Sequence, residues 1–164
     1  ALPILDMDFV NIQIFLLIII LFFNFFNKSY LGDSGIYLIS LITSVLVINF
    51  INTNSSISPY FAVLLLWYPC FENLFSIIRR LLNKRATAEP DNKHLHHYIY
   101  SLLNKKKIKY SNNLTGLIIL FFNTIILYFG YKFYNDTKFL ILIIFLAIFL
   151  YLLFYFIIRK KIKI

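Results

Sequence analysis

Five long apolar stretches govern what this chain can become: residues 9–27, 35–50, 59–78, 114–131 and 139–158. Crossing about 30 Å of hydrocarbon takes roughly 20 apolar residues. Each stretch meets or nears that length, the second being the shortest. None alternates with period two, so a membrane β-barrel is not expected. Of the 164 residues, 60% are hydrophobic and only 14% charged, where a soluble domain carries about a quarter. One soluble core could not hide so much apolar surface, so the solvent must be lipid. The expected fold is all-α, a multi-pass integral membrane helical bundle of about five transmembrane helices. The single cysteine, Cys70, excludes an internal disulfide. The chain opens on Ala1 with no basic segment before the first apolar stretch, so no signal peptide is visible and further residues are expected upstream.

Positive charge orients such a bundle. With the N-terminus outside, five crossings put the turn at Lys28, the loop 79–113 and the tail after Ile158 on the cytoplasmic side. Those segments hold 14 of the 16 Lys and Arg residues. The exceptions, Lys132 and Lys138, lie beside Asp136 in an outside loop, and the loop 52–58 (NTNSSIS) carries no charge. The expected topology is N-terminus out and C-terminus in. The net charge of +9 then follows from insertion bias and from anionic lipid headgroups, each cation near the surface contributing about 1 kcal/mol. No nucleic acid is required.

Two acids stand out. Asp33 lies in YLGDSG, between Gly32 and Gly35, where glycine permits positive φ and close approach of a ligand. Asp33 or Ser34 suits a cap on the second helix, and metal ligation is the alternative. Glu72, in WYPCFENLF, lies seven residues before Arg79, roughly 10 Å below the inner end of the third span. A carboxylate that deep needs a polar cavity or a partner, which favours a functional role over a protonated or snorkelling side chain. Pro69, three residues earlier, is expected to kink the helix.

The loop 79–113 opens with a dense run of cations and is interrupted by Pro90. Asp91 is placed to cap a short helix through about Asn104. On that helix Leu95, Ile99, Leu102 and Leu103 share one face, which suits either the membrane surface or the bundle. All three histidines, His94, His96 and His97, fall here. A regular helix would aim His96 away from the other two, so the three are expected to straddle the helix start. Three readings stand: a zinc site, for which a fourth ligand at suitable spacing is absent; a chance surface cluster; and a site that handles phosphate and protons.

Taken together, these stretches resemble the polyprenyl-phosphate N-acetylhexosamine-1-phosphate transferases, integral membrane enzymes that begin lipid-linked sugar polymers such as O-antigen, enterobacterial common antigen and wall teichoic acid. KSYLGDSG (28–35) looks like the family's K-x-F-M/L-G-D-x-G. PCFENLFSIIRR (69–80) looks like its P-x-x-D followed by a basic helix end. RATAEPDNKHLHH (85–97), the most specific of the three, looks like its R-x-x-x-x-P-D-x-x-H-x-H-H. The resemblance implies that Asp33 ligates Mg²⁺, with Mn²⁺ as a substitute. It makes His94, His96 and His97 part of a cytoplasmic loop that closes over the nucleotide-sugar. It places Arg85, Lys28 and Asp91 at substrate-phosphate positions and Glu72 on the lining of the site. The implied partners are a UDP-N-acetylhexosamine, undecaprenyl phosphate and the lipid bilayer, at the cytoplasmic face of a bacterial inner (plasma) membrane; a homodimer is compatible with this. HLHH points to an N-acetylhexosamine donor rather than a muramoyl-pentapeptide one.

Two departures accompany the match: Glu72 stands where Asp is usual, and Ile36 where a small Ser is common. The family's paired aspartates, which complete its metal site, have no counterpart here. The chain is therefore expected to be the C-terminal half of such an enzyme and inactive without the remainder. A non-catalytic membrane scaffold or lipid-phosphate-binding paralogue, and a small proton-coupled transporter relaying through Asp33 and Glu72, are the competing classes. The enzyme reading expects Asp33 and the histidines to converge over one pocket.

Overall fold

The computed structural model describes residues 7–26, 28–84 and 93–163, and among them every regular element is an α-helix. In chain order these are α1 (Met7–Phe25), α2 (Gly32–Thr53), α3 (Pro59–Leu65), α4 (Trp67–Leu82), α5 (Leu95–Lys105), α6 (Ser111–Lys132) and α7 (Thr137–Lys163). Runs of Ile, Leu and Phe take this form because a chain in lipid must satisfy its own backbone polar groups, and a helix does so within one segment.

Among the described residues, α2, α6 and α7 are long and apolar enough to cross a membrane, and α3 with α4 makes a fourth span if the pair counts as one, bent by 69°. The apolar part of α1, Val10–Phe25, is shorter. The five expected stretches thus become three full-length helices, one bent pair and one short helix. The bend has a local cause. Pro69 lacks an N–H, and its ring crowds the carbonyl four residues back, on Leu65; that is where α3 ends. The kink expected from Pro69 therefore falls one turn earlier, at Leu66 (φ −104°, ψ 6°). Pro69 itself sits in the first turn of α4, where a missing donor costs least.

The helices fall into two compact units, Ala1–Ser55 and Ser56–Ile164. In the first, α2 buries no residue and leaves Ile36, Leu41, Ile48 and Phe50 exposed, a surface that water does not tolerate.

In the second unit, α3 and α5 each pack against α6 and α7. The last helix contributes Leu140, Ile143, Ala147, Tyr151 and Tyr155, spaced three or four residues apart and all buried, so they form one stripe. Leu64 of α3 reaches α6 at Gly130, where a β-carbon would collide with the leucine side chain. The start of α3 is pinned to the α6–α7 turn. The Ser58 N–H donates to the Tyr134 carbonyl at 3.0 Å, and its Oγ lies 2.8 Å from Thr137 Oγ1. Leu95 and Ile99 of α5 belong to the buried core, with Leu103 packed against it. The short helix accordingly lies against the bundle. Between α4, α5, α6 and α7 is a cavity of about 270 Å³, lined by Tyr68, Leu95, Ile99, Phe122, Ala147, Tyr151 and other largely apolar side chains.

Candidate functional site

Helix α4 carries a polar stripe inside an apolar sequence. Glu72, Ser76 and Arg79 are separated by four and three residues, so they share one face. All three are buried, Glu72 to 6% exposure. Each end of the stripe holds the beginning of α5. Arg79 Nη1 donates to the Lys93 carbonyl at 2.6 Å and to the Tyr155 hydroxyl at 2.8 Å. Its Nη2 donates to Ser76 Oγ at 3.4 Å, and the guanidinium lies 5.5 Å from the Phe75 ring centre. Seven residues earlier, Glu72 Oε1 accepts the Leu95 N–H at 2.9 Å and the Tyr151 hydroxyl at 3.3 Å. The cation thus takes a carbonyl, while the acid takes an amide at a helix N-terminus, where the dipole favours negative charge.

This grip sets the histidines. His94 is the N-cap residue of α5, with an extended backbone (φ −76°, ψ 156°) and no capping bond from its own side chain. The extended residue breaks the helical spacing and lets the three rings gather, as expected for a cluster that straddles the helix start. Ring centres are 5.4 Å apart for His94 and His96, 6.0 Å for His94 and His97, and 4.3 Å for His96 and His97. Nδ1 of His94 lies 3.5 Å and Nδ1 of His96 3.6 Å from Glu72 Oε1. The depth of Glu72, puzzling in the sequence alone, is answered by these partners.

The structure therefore brings Glu72 together with His94, His96 and His97 in the second unit. Arg85 and Asp91 lie outside the described residues. The expected helix from Asp91 begins at Leu95, and its first amide is held by Glu72 from another helix. In the first unit, Lys28 and Asp33 are both exposed. Asp33 stands in the first turn of α2, whose N-cap position is Leu31 rather than Asp33 or Ser34. Gly32 there has φ +67°, the positive value anticipated for this motif. Among the described residues, no group of three His, Cys, Asp or Glu side chains is arranged to hold a metal. Ser76, Arg79, Tyr151 and Tyr155 were not anticipated. The four-residue spacing of Tyr68, Glu72 and Ser76 was the available signal for the α4 stripe, whereas tyrosine is too common here, 12 residues, to mark the other two.

Two curated proteins match this chain. The "probable undecaprenyl-phosphate N-acetylglucosaminyl 1-phosphate transferase" of Bacillus subtilis is 34% identical over 79 residues, covering 47% of this chain and 22% of that protein. The undecaprenyl-phosphate alpha-N-acetylglucosaminyl 1-phosphate transferase of Thermotoga maritima is 34% identical over 80 residues, covering 49% of this chain and 26% of that protein. By sequence, about half of the chain is similar to these transferases. The match spans about a quarter of the length of the two transferases. No protein-family model and no solved structure matches the chain.

Proposed function

We propose that the complete protein transfers an N-acetylhexosamine-1-phosphate from a UDP-sugar to undecaprenyl phosphate, and that this chain supplies the C-terminal part. An oxygen of the lipid phosphate attacks the phosphorus attached to the sugar. A new P–O bond forms, the bond to the bridging oxygen breaks, and UMP leaves with that electron pair. The product carries a pyrophosphate between lipid and sugar and begins a cell-envelope glycopolymer. The reaction takes place at the cytoplasmic face of a bacterial plasma membrane, where a soluble nucleotide and a lipid phosphate can meet.

One observation carries this reading beyond the kinship. In the second unit a polar cluster and an apolar cavity share residues. The Leu95 N–H sits on Glu72 while Leu95 also lines the cavity, and Tyr151 does the same through its hydroxyl and its ring. A site with imidazoles at one edge and hydrocarbon walls beside them suits an amphiphile with a phosphate head. At about 270 Å³ the cavity is slightly below the roughly 300–1,000 Å³ usual for small-ligand sites. That volume suits the isoprene units nearest the phosphate rather than the whole lipid.

Phosphoryl transfer is mostly positioning and charge neutralisation. In this assignment His94, His96 and His97, with Arg85 and Lys28, donate to phosphate oxygens. Asp33 is the carboxylate that would hold Mg²⁺, an exposed oxygen donor of the kind that ion prefers. When bound, the ion would spread the charge that builds on the phosphoryl oxygens.

The test is release of UMP from UDP-GlcNAc and undecaprenyl phosphate by the complete protein, with and without Mg²⁺. Asp33→Asn and His97→Ala should each lower the rate by on the order of 10². A rate untouched by both changes rejects the site, and absence of UMP release from the intact protein rejects the reaction.

A further inference from the structure

Two histidines lean on one oxygen. Nδ1 of His94 and Nδ1 of His96 approach the same atom, Glu72 Oε1, at 3.5 and 3.6 Å, and their rings are nearly parallel, inclined by 11°. The acid itself is fixed. It is 6% exposed, and the same oxygen holds the Leu95 amide at 2.9 Å and the Tyr151 hydroxyl at 3.3 Å.

A neutral imidazole carries a single N–H. A carboxylate beside Nδ1 selects the tautomer protonated there and fixes the ring plane. Nε2, across the ring, is directed away from that carboxylate. It is then the nitrogen available to a substrate, an acceptor in the neutral ring and a donor in the cation. His94 and His96 keep access for this, with side chains 21% and 45% exposed.

We propose that Glu72 is a positioning residue for this histidine pair: it holds both Nδ1 atoms so that both Nε2 atoms, donors in the imidazolium form, face the phosphate of an incoming substrate. Helix α4 thereby performs two tasks with one carboxylate, seating α5 through the Leu95 amide and choosing the working nitrogen of the rings ahead of it. The consequence for transfer rests on the transferase reading. The tautomer choice does not.

A seating role alone and a positioning role part company in Glu72→Gln. The glutamine oxygen still accepts the Leu95 amide, while the charge facing Nδ1 is gone. Nitrogen-15 NMR of the histidine-labelled protein in lipid nanodiscs, at a pH where the rings are neutral, reads the tautomers directly. In the unsubstituted protein His94 and His96 should be predominantly protonated at Nδ1. In Glu72→Gln both should relax toward the mixture of free histidine, while the Leu95 amide stays protected from exchange. Unchanged tautomers overturn the proposal. If the glutamine variant does not fold, Glu72→Asp keeps the charge but draws it back by one methylene, and the same loss of Nδ1 preference is expected; its persistence overturns the proposal equally.

In the complete protein, Glu72→Gln should lower kcat by on the order of 10- to 100-fold, with a much smaller change in KM for the UDP-sugar. Full activity alongside unmoved tautomers rejects the positioning role and leaves the transferase reading intact. Correct tautomers in a protein that releases no UMP do the reverse.

Discussion

Arg79 shows how much one side chain can organise. A single nitrogen, Nη1, serves the Lys93 carbonyl and the Tyr155 hydroxyl, joining α4, the approach to α5, and α7. Replacing it with methionine keeps the length and apolar stem but removes every donor, taking one hydrogen bond from the Lys93 carbonyl and one from the buried Tyr155 hydroxyl. We expect Arg79→Met to cost about 1–3 kcal/mol and to speed amide exchange at His94 and Leu95. Tyr155→Phe deletes only one of the two contacts and should cost about 1 kcal/mol. Equal losses in detergent unfolding, with unaltered exchange at the start of α5, would refute the shared grip. No inspection of the sequence isolates Arg79, because RR at a helix end is the ordinary signature of the inner membrane boundary. Its partner Tyr155 is likewise hidden in a run of aromatic residues.

At the scale of elements, the α3–α4 break is the departure from regular geometry with the clearest cause. Pro69→Ala restores a donor for the Leu65 carbonyl and removes the ring that crowds it. Two straight segments meeting at 69° place Tyr60 and Leu82 closer than one continuous helix would, by roughly 4 Å at 1.5 Å per residue. Both positions are exposed and accept spin labels. A corresponding lengthening by pulsed dipolar spectroscopy is expected. An unchanged distance would assign the bend to the packing of α3 against α6 and α7. The elements were largely legible beforehand because lipid admits few alternatives: four of the apolar stretches each yielded one helix, and the third yielded the bent pair α3 and α4. Gly32 announced its turn, and Pro69 announced a bend but not its position one turn earlier. The histidine motif pointed to the ring cluster that gathers beside Glu72. Its support did not, since Glu72 meets Leu95 across 23 positions and Arg79 meets Tyr155 across 76, separations that no local pattern encodes.

For the whole molecule, charge distribution makes a topological prediction. In a Cys70→Ser background, needed because Cys70 is exposed, single cysteines at Ser55 and Lys138 should react with an impermeant maleimide on intact cells. Those at Lys106 and Lys160 should react only after permeabilisation. The opposite pattern would invert the assignment of the histidine-bearing loop to the cytoplasm. The Ser58 knot adds a constraint of a temporal kind. Its partners, Tyr134 and Thr137, are synthesised more than 70 residues after it, at the gateway to α7. During biogenesis α3 can pack on α6 as that helix enters the bilayer, but the knot at Ser58 closes fully only when Thr137 has followed. A ribosome stalled before that point would leave the start of α3 only partly pinned.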